Sequence, residues 1–239
     1  MSISDDRRSA LKEGEGEEVP SLFARVIDVA NHLGRMGRHI GHLGPRGPEN
    51  GPPALVIPGF MSSDRTTLEL RRFLARDGWR VHGWKNGQNL GAYEGLLDDL
   101  QRRLDEVAGE DKALLVGWSL GGVMARELAR SRPDRVRAVV TLASPFSGHR
   151  KLNNVWKQYE LVAGHPVDDP PVPQSPDKPP VPTMSIVAEK DGLVAQRAQI
   201  GLREETDRVV TLPCGHMRIG KSRPMLRRVI KEIHDFVPH

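Results

Sequence analysis

The chain has 239 residues, of which 38% are hydrophobic and 28% are charged, and its formal net charge at neutral pH is +4. These values favour one soluble globular domain with a full core, and no apolar run approaches the ~18 residues that a membrane-spanning helix needs. The first residues lack the apolar stretch of a signal peptide, and Cys214 is the single cysteine, which excludes an internal disulfide. We therefore expect a cytoplasmic protein with no stable membrane insertion.

Basic residues are scattered among acidic ones and are not gathered into a stripe. The pairs Arg71-Arg72 and Arg227-Arg228 both fall in segments with helical periodicity. We therefore interpret them as solvated helix faces and expect no nucleic-acid partner. The sequence leaves the oligomeric state open.

In chain order, the sequence predicts a disordered, charged tail at residues 1–19 and a single α/β domain over 20–239. Residues 21–36 have the apolar spacing of a helix, and a Gly/Pro linker follows at 41–53. Strand and helix patterns then alternate, with strands predicted at 54–57, 79–84, 113–116, 137–143, 183–188 and 208–212 and helices at 64–78, 93–107, 123–130 and 223–236. Asp64 is the predicted cap of the first of these helices. The alternation predicts a doubly wound, mostly parallel sheet with helices on both faces.

One stretch, residues 147–182, interrupts this alternation. It contains no strand pattern, its first half could form a short helix over 152–162, and its second half is dense in proline, which favours stiff, extended backbone. Long insertions on such sheets are usually functional or disordered. We interpret this one as a small lid followed by a rigid strap, with a plain linker as the alternative.

The segment Gly117-Trp118-Ser119-Leu120-Gly121 lies between the strand predicted at 113–116 and the helix predicted at 123–130. A G-x-S-x-G sequence in this position is typical of a nucleophile elbow, a sharp turn that presents the serine hydroxyl at a helix N-terminus. Glycines on both sides of the serine relieve the crowding of that turn because they have no Cβ. We therefore predict that Ser119 is a nucleophile.

A serine nucleophile needs a base to accept its proton and a carboxylate to orient that base. Three histidines follow the last predicted strand: His216 in the loop after it, His234 inside the closing helix and His239 at the end of the chain. The loop position makes His216 the predicted base. Asp191, just after the fifth predicted strand, is the predicted carboxylate, and Glu189 is its rival.

Two backbone N–H groups are predicted to bind the oxyanion of the tetrahedral intermediate. One belongs to Leu120, and the other belongs to Phe60 in the loop after the first strand, where Gly59 allows a close approach. Met61 is a weaker candidate for the second donor. The apolar side chains predicted to line a substrate pocket are Trp118, Met61, Phe146, Trp156 and Met217. We interpret Cys214 as structural.

Together these residues resemble the α/β-hydrolases of the serine esterase and lipase type. The chain order Ser119, Asp191, His216 is the order of that fold. The segments that resemble esterase and lipase sequences are 55–60, 141–146, 183–194 and 215–217. Pro58 stands where many members have histidine. The resemblance extends from about residue 54 to the end of the chain.

This resemblance implies a Ser-His-Asp triad that cleaves carboxylic esters through an acyl-enzyme, with small-molecule esters as substrates and no metal or organic cofactor. The large helical cap of many relatives is missing from the sequence, so the resemblance also implies an open site for short or medium acyl esters. Acyl transfer to an alcohol or amine on the same fold is the alternative reaction. A non-catalytic binding role is the third hypothesis.

Overall fold

The computed structural model describes residues 46–237. The tail predicted at 1–19, the helix predicted at 21–36 and His239 lie outside these residues. In the described part, six strands form one all-parallel sheet in the order β2-β1-β3-β4-β5-β6. The strands are β1 (Pro53–Ile57), β2 (Arg80–Gly83), β3 (Ala113–Trp118), β4 (Val136–Leu142), β5 (Thr183–Ala188) and β6 (Arg208–Leu212).

Seven α-helices accompany these strands within residues 46–237. They are α1 (Leu68–Arg76), α2 (Leu96–Ala108), α3 (Leu120–Ser131), α4 (Trp156–Ala163), α5 (Gln196–Ile200), α6 (His216–Ile219) and α7 (Arg223–Phe236). Each strand and helix predicted beyond residue 53 is present. The bounds of β5, β6 and α7 are as predicted and the ends of the others are shifted by a few residues, whereas the short helices α5 and α6 have no predicted counterpart. None of the described helices is long and apolar enough to cross a membrane.

Successive side chains of each strand point to opposite faces of the sheet, and both faces carry an apolar layer. In β1, Ala54 and Val56 belong to the layer that α1 and α7 cover, whereas Leu55 and Ile57 belong to the layer beneath α2 and α3. Strands β1, β3 and β5 are buried along their whole length, as expected for a parallel sheet with helices on both sides. The predicted doubly wound α/β fold is confirmed.

The direction of strand addition reverses between β1 and β3, and this reversal positions the candidate site. From β1 the chain moves outward to β2, then crosses back to β3 and continues to β6. Ile57, at the end of β1, is paired with Gly117, near the end of β3. The loops that leave these two strands therefore diverge at one crevice, which is where ligands bind in open parallel sheets.

The segment 147–182 consists of α4 and an extended, proline-rich run. The helix begins at Trp156, later than the 152–162 of the sequence prediction, because Asn153 forms an isolated antiparallel bridge with Val194. The Asn153 side chain also accepts a hydrogen bond from Val155 N–H (3.0 Å) and donates to the Arg150 carbonyl oxygen (2.8 Å). The start of the segment is thereby attached to the loop that follows β5.

Arg126 holds the proline-rich run against α3. Proline has no N–H and interrupts regular structure, so the carbonyl groups of this run need donors from elsewhere in the chain. The buried Arg126 donates from Nη2 to the carbonyl oxygens of Pro176 (2.7 Å) and Asp177 (2.9 Å). Burial lowers the pKa of Arg126 to about 10, so the guanidinium is still charged at neutral pH, and it lies 4.2 Å from the centroid of the Phe146 ring.

Two predictions near α1 are wrong. Asp64 does not cap the helix, because Thr67 occupies the N-cap position; the Asp64 carboxylate instead accepts the backbone N–H groups of Trp84 (3.0 Å) and Lys85 (3.1 Å). Arg71 is not on a solvated face, because it is fully buried and donates from Nη2 to the Asp64 carbonyl oxygen (2.7 Å). Helical periodicity describes one element and does not reveal the loop that packs against it.

We expect Asp64→Ala to lower the free energy of unfolding by about 2 kcal/mol, because the two N–H groups that follow β2 lose an ionised acceptor. Urea unfolding followed by tryptophan fluorescence measures this change. Glu110→Ala is the matched control, since that carboxylate is exposed just beyond α2. Equal stability of the two variants would contradict the role of Asp64.

Candidate active site

Ser119 lies between β3 and α3 in a left-handed backbone conformation, with φ 54° and ψ −125°. Such a conformation costs a non-glycine residue of order 1–3 kcal/mol and persists only where the surrounding structure fixes it. The Ser119 N–H donates to the Leu142 carbonyl oxygen (2.8 Å), and the Ser119 carbonyl oxygen accepts from Gly122 N–H (2.9 Å). The turn is therefore held by the end of β4 and by the first turn of α3.

Two glycines make this turn sterically possible. A Cβ on Gly117 would lie 2.3 Å from the carbonyl oxygen of Gly121, and a Cβ on Gly121 would lie 2.3 Å from that of Ile57. Both clashes would be with backbone atoms, which cannot move aside as a flexible side chain can. The start of α3 therefore packs directly against the ends of β1 and β3.

The backbone N–H groups of Leu120 and Phe60 are the predicted oxyanion donors. Leu120 is the first residue of α3, so its N–H has no acceptor within the helix. Neither N–H donates to a protein acceptor within residues 46–237. A Cβ on Gly59 would lie 3.0 Å from the Cβ of Ser119, so the loop that follows β1 passes directly beside the serine. The structure thus brings both predicted loops to the same crevice.

Asn89 fixes the loop after β1, and the sequence analysis missed it. Its buried side-chain amide donates to the Pro58 carbonyl oxygen (2.8 Å), and its backbone N–H donates to that of Ser62 (2.8 Å). The Asn89 carbonyl oxygen accepts the N–H of Met61 (2.7 Å), so this weaker candidate for the oxyanion donor already has an acceptor. A polar residue in a loop carries no periodic signal, so only the folded chain reveals this role.

His216 and Asp191 are in direct contact. The Nδ1 atom of His216 lies 2.7 Å from Oδ2 of Asp191, and the two side chains are 5% and 0% exposed. The sequence had suggested a loop position for His216, but this residue is the first of the short helix α6. A neutral histidine that donates from Nδ1 presents an acceptor lone pair at Nε2. This tautomer is the one that can accept a proton from a serine hydroxyl.

The Asp191 carboxylate is saturated with donors. Oδ1 accepts the backbone N–H groups of Leu193 (2.7 Å) and Val194 (2.9 Å), while Oδ2 accepts the side-chain amide of Gln199 (2.8 Å) in addition to the histidine. The rival carboxylate, Glu189, is exposed. The structure therefore brings Asp191 to the histidine, and the Asp191 turn supplies the hydrogen bonds that allow a fully buried carboxylate.

Trp118 joins the histidine to the strand that precedes the serine. Its indole Nε1–H donates to the His216 carbonyl oxygen (3.2 Å), and the two ring centroids are 6.2 Å apart. A Cβ on Gly220 would lie 3.0 Å from the indole ring, so the turn after α6 also packs on this tryptophan. The backbone of His216 is therefore attached to β3, one residue before Ser119.

Ser119 lies in a cleft that is partly open to solvent. The residues that line it are Phe60, Ser119, Leu120, Val123, Pro145, Arg150, Asn153, Val155, Trp156, Tyr159, Val167, Gln174 and Val194. Seven of these thirteen residues belong to 147–182, so that segment forms most of one wall. In the part of the chain that the structure describes, no group of three or more His, Cys, Asp or Glu side chains is arranged to hold a metal ion.

The predicted pocket residues occupy three different places. Trp156 lines the cleft with the serine, and Phe146 lines a neighbouring cleft. The other three are not among the residues of the serine cleft: Trp118 is buried in the core, Met217 packs against the same core layer, and Met61 is 54% exposed. Apolar character alone does not determine whether a side chain packs in the core or lines a cleft.

The polar part of the cleft wall was also missed by the sequence analysis. Tyr159 packs its ring 5.4 Å from that of Phe60, and its hydroxyl accepts the N–H of Ala92 (3.1 Å). Burial raises the pKa of Tyr159, so this phenol is protonated at neutral pH. The apolar spacing at 152–162 hinted at Tyr159, whereas nothing in the sequence pointed to Arg150 or Asn153.

Known proteins resemble this chain in sequence. A family model described as the alpha/beta hydrolase fold matches residues 57–161. The pimeloyl-(acyl-carrier protein) methyl ester esterase of Nitrosospira multiformis is 27% identical over 140 residues, which cover 54% of this chain and 51% of that protein. The protein of the same name from Citrobacter koseri is 40% identical over 62 residues, which cover 26% and 23%. This chain thus matches about half the length of the first relative and less of the second.

Solved structures share the fold at low sequence identity. The lipase-esterase related protein of Clostridium acetobutylicum has a TM-score of 0.62 at 18% identity, with 82% of this chain and 99% of that chain covered. The matched family model, the order of the parallel sheet and these neighbours thus show that the chain has the α/β-hydrolase fold.

Proposed function

We propose that this chain hydrolyses carboxylic esters, with Ser119 as nucleophile, His216 as general base and Asp191 as the carboxylate that orients the base. The observation that carries this proposal is the buried 2.7 Å hydrogen bond between His216 Nδ1 and Asp191, at the same sheet edge as the strained turn of Ser119. The esterase names of the two relatives support small-molecule esters as the substrate class.

In the proposed first half-reaction, Ser119 Oγ attacks the ester carbonyl carbon and His216 Nε2 accepts the hydroxyl proton. The carbonyl π electrons move to oxygen, and the N–H groups of Phe60 and Leu120 stabilise that oxyanion. When the intermediate collapses, the C–O bond to the alcohol breaks and His216 returns its proton to the leaving oxygen. The products are a free alcohol and an acyl group on Ser119.

In the second half-reaction, His216 removes a proton from a water molecule, which attacks the acyl carbonyl. Collapse releases the carboxylic acid and restores the Ser119 hydroxyl. Asp191 stabilises the imidazolium form of His216 in both halves and does not itself accept a proton. The water, the ester and the three side chains account for every atom, so the reaction needs no further reactant.

The segment 147–182 acts in this proposal as the lid and strap of a single domain. It provides most of one wall of the serine cleft, which a plain linker would not do. Its attachment to α3 through Arg126 and to the β5 loop through Asn153 supports a wall of defined shape.

Ser119→Ala is expected to lower the rate of p-nitrophenyl butyrate hydrolysis by at least about 1,000-fold, because the remaining groups can stabilise an oxyanion but cannot form the acyl-enzyme. Release of p-nitrophenolate measures the rate. Ser131→Ala, at the other end of α3, is the control and should retain the rate of the unmodified protein. Equal rates in the two variants would refute the role of Ser119.

Asp191→Asn is expected to lower kcat by about 10⁴-fold, because the amide favours the wrong histidine tautomer while it keeps the size of the side chain. Glu189→Gln is the matched control, since this carboxylate is exposed two residues earlier in the chain. Steady-state kinetics on the same ester separate the two variants, and circular dichroism verifies that both are folded. If Glu189→Gln lost activity and Asp191→Asn kept it, the assignment of the carboxylate would be wrong.

A further inference from the structure

Arg150 stands where the serine cleft and the neighbouring cleft meet. It lines both of them, together with Val123, Pro145 and Gln174. The two clefts therefore adjoin at these four residues, with Ser119 in the first cleft and Arg150 on the wall that both clefts share. We propose that Arg150 binds an anionic oxygen group, a carboxylate or a phosphate, on the ester substrate. This inference rests on the proposed function and adds a substrate class to it.

The hydrogen bonds of Arg150 leave part of its guanidinium available. A guanidinium has five N–H donors. Nη1 donates to the carbonyl oxygens of Val167 (3.2 Å) and Asp168 (3.1 Å), and Nη2 donates to that of Gln174 (3.3 Å). The Nε–H and one Nη2–H thus have no acceptor among the described residues. Guanidinium donors fit the oxygens of a carboxylate or phosphate.

The charge of Arg150 is also not neutralised by a carboxylate within residues 46–237. Arg150 donates a hydrogen bond to one acidic residue, Asp168, but the acceptor is the backbone carbonyl oxygen. The Asp168 carboxylate is instead paired with Lys151 at 2.7 Å. The guanidinium is half-buried, and apolar side chains such as Val155 and Val167 share the cleft wall with it. A cation against such a wall favours an anionic ligand, because water screens the interaction less than at an open surface.

Further cations surround the same wall. Trp156, which lines the cleft, has Lys151 at 5.0 Å and Lys157 at 5.3 Å from its ring centroid. Of the acidic side chains nearby, Asp168 is paired with Lys151 and Glu160 accepts the N–H of Val167 (2.9 Å). The serine cleft therefore contains the proposed nucleophile and, on its wall, a guanidinium with no carboxylate partner among residues 46–237, which favours esters that carry a negative charge.

Matched esters test this selection on both sides of the scissile bond. On the acyl side, p-nitrophenyl hexanoate is compared with mono-p-nitrophenyl adipate; on the alcohol side, phenyl butyrate is compared with derivatives that carry a 4-carboxylate or a 4-phosphate. For at least one pair, the ratio of kcat/KM for the charged ester to that for the neutral ester should fall about tenfold or more in Arg150→Met, as expected for loss of a charge-assisted hydrogen bond. The derivative with the larger effect distinguishes carboxylate from phosphate.

Lys112→Met is the control, because it removes an exposed cation just before β3, at the opposite edge of the sheet, and should change these ratios less than twofold. A purely structural role of Arg150 would lower both rates together and leave every ratio unchanged, which would overturn the inference. Arg150→Lys retains the charge without the fork and should give an intermediate ratio if the methionine variant does not fold. In the unmodified protein, KM for the preferred charged ester should rise with salt while that for its neutral partner does not.

The two proposals fail in different ways. If Ser119→Ala abolishes hydrolysis of the neutral esters but no ratio depends on Arg150, the proposed function stands and the anionic substrate class is wrong. If Ser119→Ala leaves hydrolysis unchanged, the proposed function itself is wrong.

Discussion

Ser119 has a left-handed backbone conformation that an L-residue adopts only under constraint, and the geometry of the whole crevice depends on this turn. The turn ends β3 and begins α3 at once, so the Leu120 N–H faces the same crevice as the serine. It persists because β4 and the first turn of α3 hold it through two backbone hydrogen bonds, and because Gly117 and Gly121 remove the Cβ atoms that would collide with backbone. A relaxed turn would separate the hydroxyl from the helix N-terminus.

The buried carboxylate of Asp191 is the second fixed point. A buried carboxylate is costly unless donors surround it, and here two backbone N–H groups, the Gln199 amide and His216 provide them. These hydrogen bonds hold the carboxylate in a single position, and the carboxylate in turn orients the histidine ring. The indole of Trp118 then attaches the histidine backbone to the strand before the serine. The site is therefore preorganised by contacts from three loops at the carboxyl edge of one sheet.

Features that depend on periodicity or on strand ends could be predicted from the sequence. Buried apolar runs identified the strands. Because the strands are parallel, residues that follow different strands meet at one edge of the sheet, and this allowed His216 and Asp191 to be predicted as partners although they are 25 positions apart. Features that depend on packing between loops could not be predicted. Asn89, Arg150 and the true partners of Asp64 belong to this class, because their partners lie on other loops and one sequence contains no signal for them. Of the apolar side chains predicted for the pocket, Trp156 lines the serine cleft, because the sequence shows which residues are apolar but not towards which cleft they pack.

The most direct test of the central claim is intact-mass spectrometry with peptide mapping after reaction with a fluorophosphonate, which labels only an activated serine. The account predicts one adduct per chain, located on Ser119, and labelling at least about 1,000-fold slower in His216→Ala. An adduct on another serine, or an unchanged labelling rate without the histidine, would contradict it.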